Sequence, residues 1–475
     1  MLKNIIKKEI LNNIFSSRFL VTFLLLVIIV FATSVILTND FVRKQDEFSI
    51  REMERENYLR DYAHFNRIGN IINPSQPPLA FYSLIRGISL DVNIEEFDND
   101  PLPVMFPLID LTFIVTLLLS LIALLFSYDS ICGEKEEGTL KLMLSNSVSR
   151  AKILLGKTIG GTLTLLIPFT FSLGLSLVVI LLNPRVSWKG SDWGALGLIF
   201  FAAVLYVTLF YCLGILISSR HKSGSSSIMT SLFVWVLFIL VIPSLTPYVA
   251  SFFAKTPSKI TIEREVSRIY DTERDALGRK LAQERTAEVR KKYPNYEPIM
   301  NREERQKRIA NDPEFKTAYE EVSKAEREAW NEANRIQGVK GNLILEDQRQ
   351  KVERQMKLSI YLSMSSPLSS FTYLATDLSA TGMRSSKHFA RLSGQYWQMI
   401  GNYQKAKTAS LRAIDPTVDV SNSPVDVSDM PRFQYTDEPL LDRIEGVLPF
   451  LAALLIFNIL FFSAAFISFI HYDVR

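Results

Sequence analysis

Cysteine is nearly missing from this chain of 475 residues: Cys132 and Cys212 are its only two, which excludes a disulfide scaffold and any cysteine-rich zinc module. Histidine is scarce as well. His64, His221, His388 and His471 stand without ligand spacing, and neither His-Glu-x-x-His nor Gly-x-Ser-x-Gly occurs, so catalysis by this polypeptide is not expected. A net charge of +4 argues against a nucleic-acid binder, and a hydrophobic content of 48% excludes a disordered chain. The most informative absence is local. Not one Asp, Glu, Lys or Arg falls in 19–37, 111–128, 158–182, 196–217, 228–254 or 446–470. A membrane span needs about 17–25 largely apolar residues, and a soluble domain has no reason to exclude charge from six such windows. The expected fold class is an all-α polytopic membrane protein, with six transmembrane helices and a mainly helical extracytoplasmic domain.

The charges that are present give the topology. Lys3, Lys7, Lys8 and Arg18 precede the first span, and 129–157 and 218–227 carry five and two basic residues, against two in the short loop 183–195. By the positive-inside rule the basic segments face the cytoplasm. The apolar run after Arg18 is too long for a cleaved signal peptide. The predicted layout is a cytoplasmic elbow helix 1–18, span 1 at 19–37, an extracytoplasmic loop 38–107, span 2 at 108–128 and a cytoplasmic segment 129–157. Spans 3 to 5 follow at 158–182, 196–217 and 228–254, then an extracytoplasmic domain 255–445, span 6 at 446–470 and a cytoplasmic tail 471–475. Both termini are placed inside. Leu358–Thr376 is also free of charge but holds six serines and Pro367, and is expected to pack on the bilayer surface or the spans rather than cross as a seventh.

Residues 255–445 hold 61 charged residues among 191. Ile262, Val266, Ile269, Tyr270, Leu277 and Leu281 follow helical spacing up to Pro294, and acid-to-base pairs four apart recur (Asp275/Arg279, Glu288/Lys292, Glu304/Arg308, Glu320/Lys324 and Glu353/Lys357). The reading is a solvated helical hairpin, or a stalk on which a partner docks. Pro416, Pro424, Pro431 and Pro439 make 413–440 an extended return to the membrane. The loop 38–107 is acidic, broken by prolines, and expected to pack on the larger domain.

A run from Ala151 to Thr158 ends in Gly156-Lys157-Thr158, as a phosphate-binding loop does, but Ala151 replaces its first glycine and Thr158 leads straight into a span. Lys157 is therefore read as an anchor at the inner bilayer surface. Asp110, at the outer edge of span 2, is the one carboxylate near a span and is read as interfacial. With no charge inside the spans, ion-coupled transport loses its usual machinery, and energy must come from elsewhere. Gly156, Gly160 and Gly161 permit close packing, between copies or within the chain. Pro168, Pro243 and Pro247 imply bends.

Segment 129–157 reads as two short helical pieces broken around Ser145–Ser149. In order it contains Glu134, Glu136, Glu137, Gly138, Thr139, Leu140, Leu144, Ser145, Val148, Ser149, Arg150, Gly156 and Lys157. This run resembles the segment after the second span of type-2 ABC exporter permeases, departing from it at Asn146-Ser147, where that family commonly carries a proline. The six-span layout and the elbow helix, with its stripe of Leu2, Ile5, Ile6, Ile10 and Ile14, resemble the same family. Ser366-Pro367, Ser369, Phe371, Tyr373-Leu374-Ala375 and Leu378, Thr381-Gly382 are similar to a bacterial subgroup with a large insertion between the fifth and sixth spans, as is the closing Tyr472–Arg475.

The resemblance implies a permease subunit of an ATP-driven exporter in the bacterial inner membrane. Its 129–157 segment is the coupling helix that meets a separate ATPase, through Glu134, Glu136, Glu137, Gly138, Thr139, Leu140 and Arg150. Implied partners are two ABC ATPase chains, which bind the ATP-Mg, and a second permease copy or a related permease. Membrane lipids and an extracytoplasmic protein complete the set, without nucleic acid. This chain itself is expected to hold no cofactor and no metal. The alternatives are a force-transmitting membrane complex driven by an ATPase, and a scaffold without an energy source.

Overall fold

A computed structural model describes residues 2–61, 72–87, 109–140, 149–414 and 425–471. The described residues are helices, turns and extended loops, without strands. α1 is Leu2–Ile14 and α2 is Ser17–Asp61. α3 (111–127) contains a π-helical stretch at Ile114–Leu119, and the short α4 is Cys132–Glu136. α5 is Arg150–Leu181, α6 Gly190–Arg220, and α7 Gly224–Phe253 with a π-helical stretch at Leu237–Val241. α8 covers 259–292, α9 is Arg302–Asn311, α10 Pro313–Ser363, α11 Pro367–Leu378, α12 Met383–Ile414 and α13 Leu440–Ile470.

Among the described residues six helices are long and apolar enough to cross a membrane, and they contain, to within a residue, the six charge-free windows: α2, α3 with α4, α5, α6, α7 and α13. The six gaps in charge are thus matched helix for helix. α2 does not stop at the end of its window. It runs on through charged residues to Asp61, because Arg, Glu and Met in 51–60 are good helix formers and no glycine or proline interrupts them. At about 1.5 Å per residue it is far longer than a bilayer is thick.

The chain divides into two compact units. Met1–Pro243 with Ser363–Arg475 makes one, and Ser244–Leu362 the other, so the stretch 255–445 is shared between them. In the smaller unit α8 and α10 form a helical hairpin with an alanine-rich seam: Ala318, Ala325, Ala329 and Ala333 are buried with Phe315 and Val322. Gly278 lies under the Trp330 ring and Gly341 under Tyr270, where any Cβ would collide. Ile262 and Ile269 are buried as their spacing predicts. Of the acid-to-base pairs four apart, Glu353–Lys357 forms at 3.1 Å, whereas Lys292 reaches across the hairpin to Glu321 at 2.7 Å and Arg308 turns to Asp312 at 3.8 Å.

In the larger unit the spans pack through small and aromatic residues. Two carbonyls of the π-helical stretches are taken by hydroxyls of other helices: Tyr206 donates to Thr116 O at 3.0 Å, and Ser366 to Phe238 O at 2.6 Å. Trp235 Nε1 donates to Ser120 Oγ at 2.9 Å. In hydrocarbon every backbone group needs such a partner. These bonds also fix α11. Its first turn lies level with the middle of α6 and α7, where Phe371 meets Tyr206 at 5.3 Å, and its last carbonyl, Leu378 O, accepts from Arg443 in the first turn of α13 at 2.8 Å. Twelve residues at about 1.5 Å each reach only halfway through a bilayer. The charge-free stretch 358–376 therefore contains a half-length helix packed on the spans.

The end of this unit remote from α1 is closed by small-residue contacts. Gly87, at φ +81°, admits no Cβ against Thr381; Gly382 is pressed on Asp377, and Gly446 on the Arg384 guanidinium. Asp110 caps α3 by accepting from Phe113 N at 2.8 Å and also accepts from Arg86 N at 3.2 Å. Beyond it, Leu59, Ile72, Tyr396, Ile400, Val425, Val427 and Met430 form a separate small core, tied by Arg432 to Glu56 at 2.7 Å. Residues 425–439 form no helix, turn at 428–430, where Met430 N donates to Val427 O at 3.1 Å, and then run without regular structure from Pro431 to Pro439; 415–424 lie outside the described residues.

Candidate functional site

At the other end, around α1, the residues singled out between 129 and 157 come together with the ends of five spans. α3 ends at Ser127, and the chain turns through Tyr128–Ile131 into α4. Its first free amides are satisfied from α6: Ile131 N and Cys132 N donate to Ser218 Oγ at 3.0 and 3.1 Å. Asp129 pairs with Arg18 of α2 at 2.8 Å. Tyr128 O accepts from Ser227 of α7 at 2.6 Å.

Glu134 points inward. Its Oε1 lies 2.8 Å from the Nζ of Lys157 on α5, and Glu9 of α1 approaches the same ammonium at 3.5 Å. Lys157 is 3% exposed, so it is no anchor reaching to the bilayer surface. Snorkelling is prevented because α1 covers that face of α5: a Cβ at Gly156 would come within 2.5 Å of Ile5 Cγ2, and one at Gly160 within 2.8 Å of Glu9 Cβ. Those glycines, and Gly161 beneath the Tyr211 ring, serve packing inside the chain. Glu136 accepts from Gly224 N at 3.2 Å, placing a carboxylate at the positive N-terminus of α7. Arg150 donates to Phe469 O and Ile470 O at 2.8 and 2.6 Å, placing a cation at the negative C-terminus of α13.

The predicted residues thus fall into three groups. Glu134 and Arg150 are used inside the chain. Leu140 is buried at 2% exposure. Glu136, Glu137, Gly138 and Thr139 are exposed, and they form a short apex closed by Thr139 Oγ1 donating to Glu134 O at 3.2 Å. Gly138 sits at φ +73°, the left-handed conformation that glycine adopts without steric cost, which explains the glycine after the acidic run. Leu144, Ser145 and Val148 lie outside the described residues, and Arg150 opens α5, so the second helical piece is continuous with the third span. Sequence reasoning missed Glu9, Asp129 and Ser218 as members of this cluster. Only Glu9 left a signal, as the one acid in an otherwise basic first helix. Among the described residues no group of three or more His, Cys, Asp or Glu is placed to hold a metal, and Cys132 and Cys212 are both buried and unpaired.

The turn 128–131 and α4 are thus bonded to α2, α5, α6 and α7, and through Lys157 to α1, while the tip is exposed and acidic. The comparisons with known proteins agree on the architecture. The model of the ABC-2 family transporter proteins matches residues 3–469. The chain belongs to that family. It is a multi-pass, permease-type membrane protein. Two curated relatives match in part: a probable ABC transporter permease protein NosY of Pseudomonas aeruginosa is 36% identical over 132 residues, which are 28% of this chain and 48% of the relative. The protein of the same name from Stutzerimonas stutzeri is 35% identical over 128 residues, 27% of this chain and 46% of the relative. The match therefore spans about half the length of these relatives.

Proposed function

We propose that this chain is the membrane-spanning subunit of an ATP-driven ABC exporter in the bacterial inner membrane, and that the exposed apex Glu136–Thr139 meets a separate ATPase. The observation that carries this reading is the division of labour within one short segment. Its base is bonded to the spans by Glu134, Asp129 and Arg150, while its tip offers two exposed carboxylates and a left-handed glycine. Carboxylates of this kind pair with Arg or Lys of a partner. A rigid tip wired to spans converts closure of the ATPase into movement of helices.

In this topology both termini are cytoplasmic, and the stretch 255–445, between the fifth and sixth spans, is extracytoplasmic. Two ATPase chains bind the ATP-Mg and two permease chains line the path, this chain pairing with itself or with a related permease. The charge-free spans suit a substrate that is apolar or lipid-like better than a small ion.

Solubilising the full-length chain from its native membrane and identifying the chains that stay with it tests the proposal. An ATPase subunit is expected, and Glu136→Lys with Glu137→Lys is expected to reduce its recovery at least tenfold. Recovery without any ATPase, or recovery unaffected by the reversal, overturns it. A force-transmitting complex would retain the ATPase yet move no solute in vesicles.

A further inference from the structure

Three helices meet at one ammonium. Lys157 belongs to α5, Glu134 to α4 and Glu9 to α1, with separations of 2.8 and 3.5 Å to the two carboxylates. The side chains of Glu134 and Glu9 are 18% and 14% exposed, and that of Lys157 4%. The second Glu134 oxygen, Oε2, is buried and accepts no hydrogen bond in the structure, so the carboxylate is held by the Lys157 contact. The other ties of the segment differ in kind. Arg18–Asp129 is 48% and 32% exposed, where water screens the pair, and Glu136 holds Gly224 N from an exposed position. Gly156 and Gly160 stand on either side of Lys157 along α5 and let α1 come close enough for Glu9 to reach it. A buried charge cannot be left unpaired cheaply, so neither α4 nor α1 parts from α5 without exposing the cluster to that cost.

We propose that Lys157 is a positioning residue for coupling: it locks α4 and α1 to the base of the third span, so that a push on the apex moves all three as one body. The inference rests on the reading of segment 129–157 as the contact with the ATPase, and adds that α1, which carries none of the exposed tip, is driven by that contact through one buried ion cluster. No bond is made or broken; what passes is displacement.

Hydrogen exchange read by mass spectrometry on the full-length chain with its co-purified ATPase tests it. In the wild type, trapping Mg-ATP with vanadate is expected to shift exchange in α1 and α4 together. In Lys157→Met, exchange within α1 is expected to rise at least tenfold and the nucleotide shift to stay in α4, with the ATPase still bound. Lys157→Arg, and the exchanged pair Lys157→Glu with Glu134→Lys, are expected to restore the shift in α1. Loss of a merely structural contact would loosen α1 without abolishing its response to nucleotide. Wild-type exchange in α1 of Lys157→Met, or a nucleotide shift that still reaches α1, overturns the proposal. Should Lys157→Met fail to accumulate, the exchanged pair decides: an α1 that is protected and responsive supports the lock, and an α1 that is loose overturns it. If Glu137→Lys leaves the ATPase bound and responsive while Lys157→Met disconnects α1, the apex reading fails and the lock stands. If Glu137→Lys loses the ATPase while Lys157→Met behaves as wild type, the reverse holds.

Discussion

The α8–α10 hairpin and the ends of the spans around α1 use ion pairs in different ways. In the hairpin of α8 and α10 they decorate the surface: Lys292–Glu321, Arg335–Glu332 and Glu353–Lys357 are all substantially exposed, where water screens them. The seam of alanines and the Trp330 and Tyr270 contacts hold that hairpin, and its ion pairs lie outside the seam. Where the spans end, a few charged groups are buried, and each of those holds helices together. Lys157 joins three helices, Arg150 closes the end of α13, and Arg443, 4% exposed, closes the end of α11. The difference follows from the solvent. Water screens a surface pair until its loss hardly matters, whereas a bilayer edge makes the loss of one partner cost the whole desolvation of the other.

Removing Lys157 should therefore have the largest effect. Lys157→Met leaves two carboxylates without a partner and is expected to destabilise the chain by about 3–5 kcal/mol, read as a lower melting midpoint of the purified protein in detergent. Adding Glu9→Gln and Glu134→Gln to it should recover most of that loss, since apolar or neutral replacement of a whole buried cluster is often nearly neutral. A triple variant as unstable as the single one would break the comparison.

Asp377, at the end of α11, sharpens it at intermediate magnitude. Burial pushes its carboxyl up to about 6, against the pull of the Arg384 amide and the Arg384 and Lys387 charges, with Glu438 adding to the rise. A carboxyl raised in the folded state costs stability once ionised. The cost is absent below the unfolded value near 3.8, grows as pH rises through about 6, and is complete at neutral pH. The melting midpoint is expected to be higher at pH 5 than at pH 7, by an amount equivalent to about 1 kcal/mol. Asp377→Asn, which keeps an oxygen for the Arg384 amide, should flatten that dependence. The smallest effect belongs to the hairpin, where Glu353→Gln should change stability by less than about 0.5 kcal/mol at any salt concentration. A change of several kcal/mol would erase the contrast between the two regions.

The spans were legible because charge exclusion is a strong signal that needs no partner: six gaps in the sequence became six helices. The apex was legible because its residues are contiguous, and Gly138 with the acids before it can be read in one line. The lock was not. Glu9, Glu134 and Lys157 are far apart in the chain, and each alone reads as a helix-surface charge. Gly156 and Gly160 were visible as packing residues, but whether they serve a second copy or α1 depends on where α1 lies. The extension of α2 to Asp61 was hidden because the eye stops at the end of the apolar window, although 51–60 is good helical sequence. The half-length α11 announced itself only as an apolar stretch too rich in serine to span. Its place beside the mid-membrane carbonyl of Phe238 depends on a π-helical stretch that no local pattern marks.

A cross-link at the apex tests the central claim most directly. Both native cysteines are buried, so Thr139→Cys provides a single exposed thiol on which to mount a photoreactive group in the assembled complex. Illumination is expected to join this chain to an ATPase subunit, whereas the same group on Val339→Cys, exposed on the hairpin helix α10, should not. An apex that joins no ATPase, or an ATPase joined from Val339→Cys instead, would contradict the account.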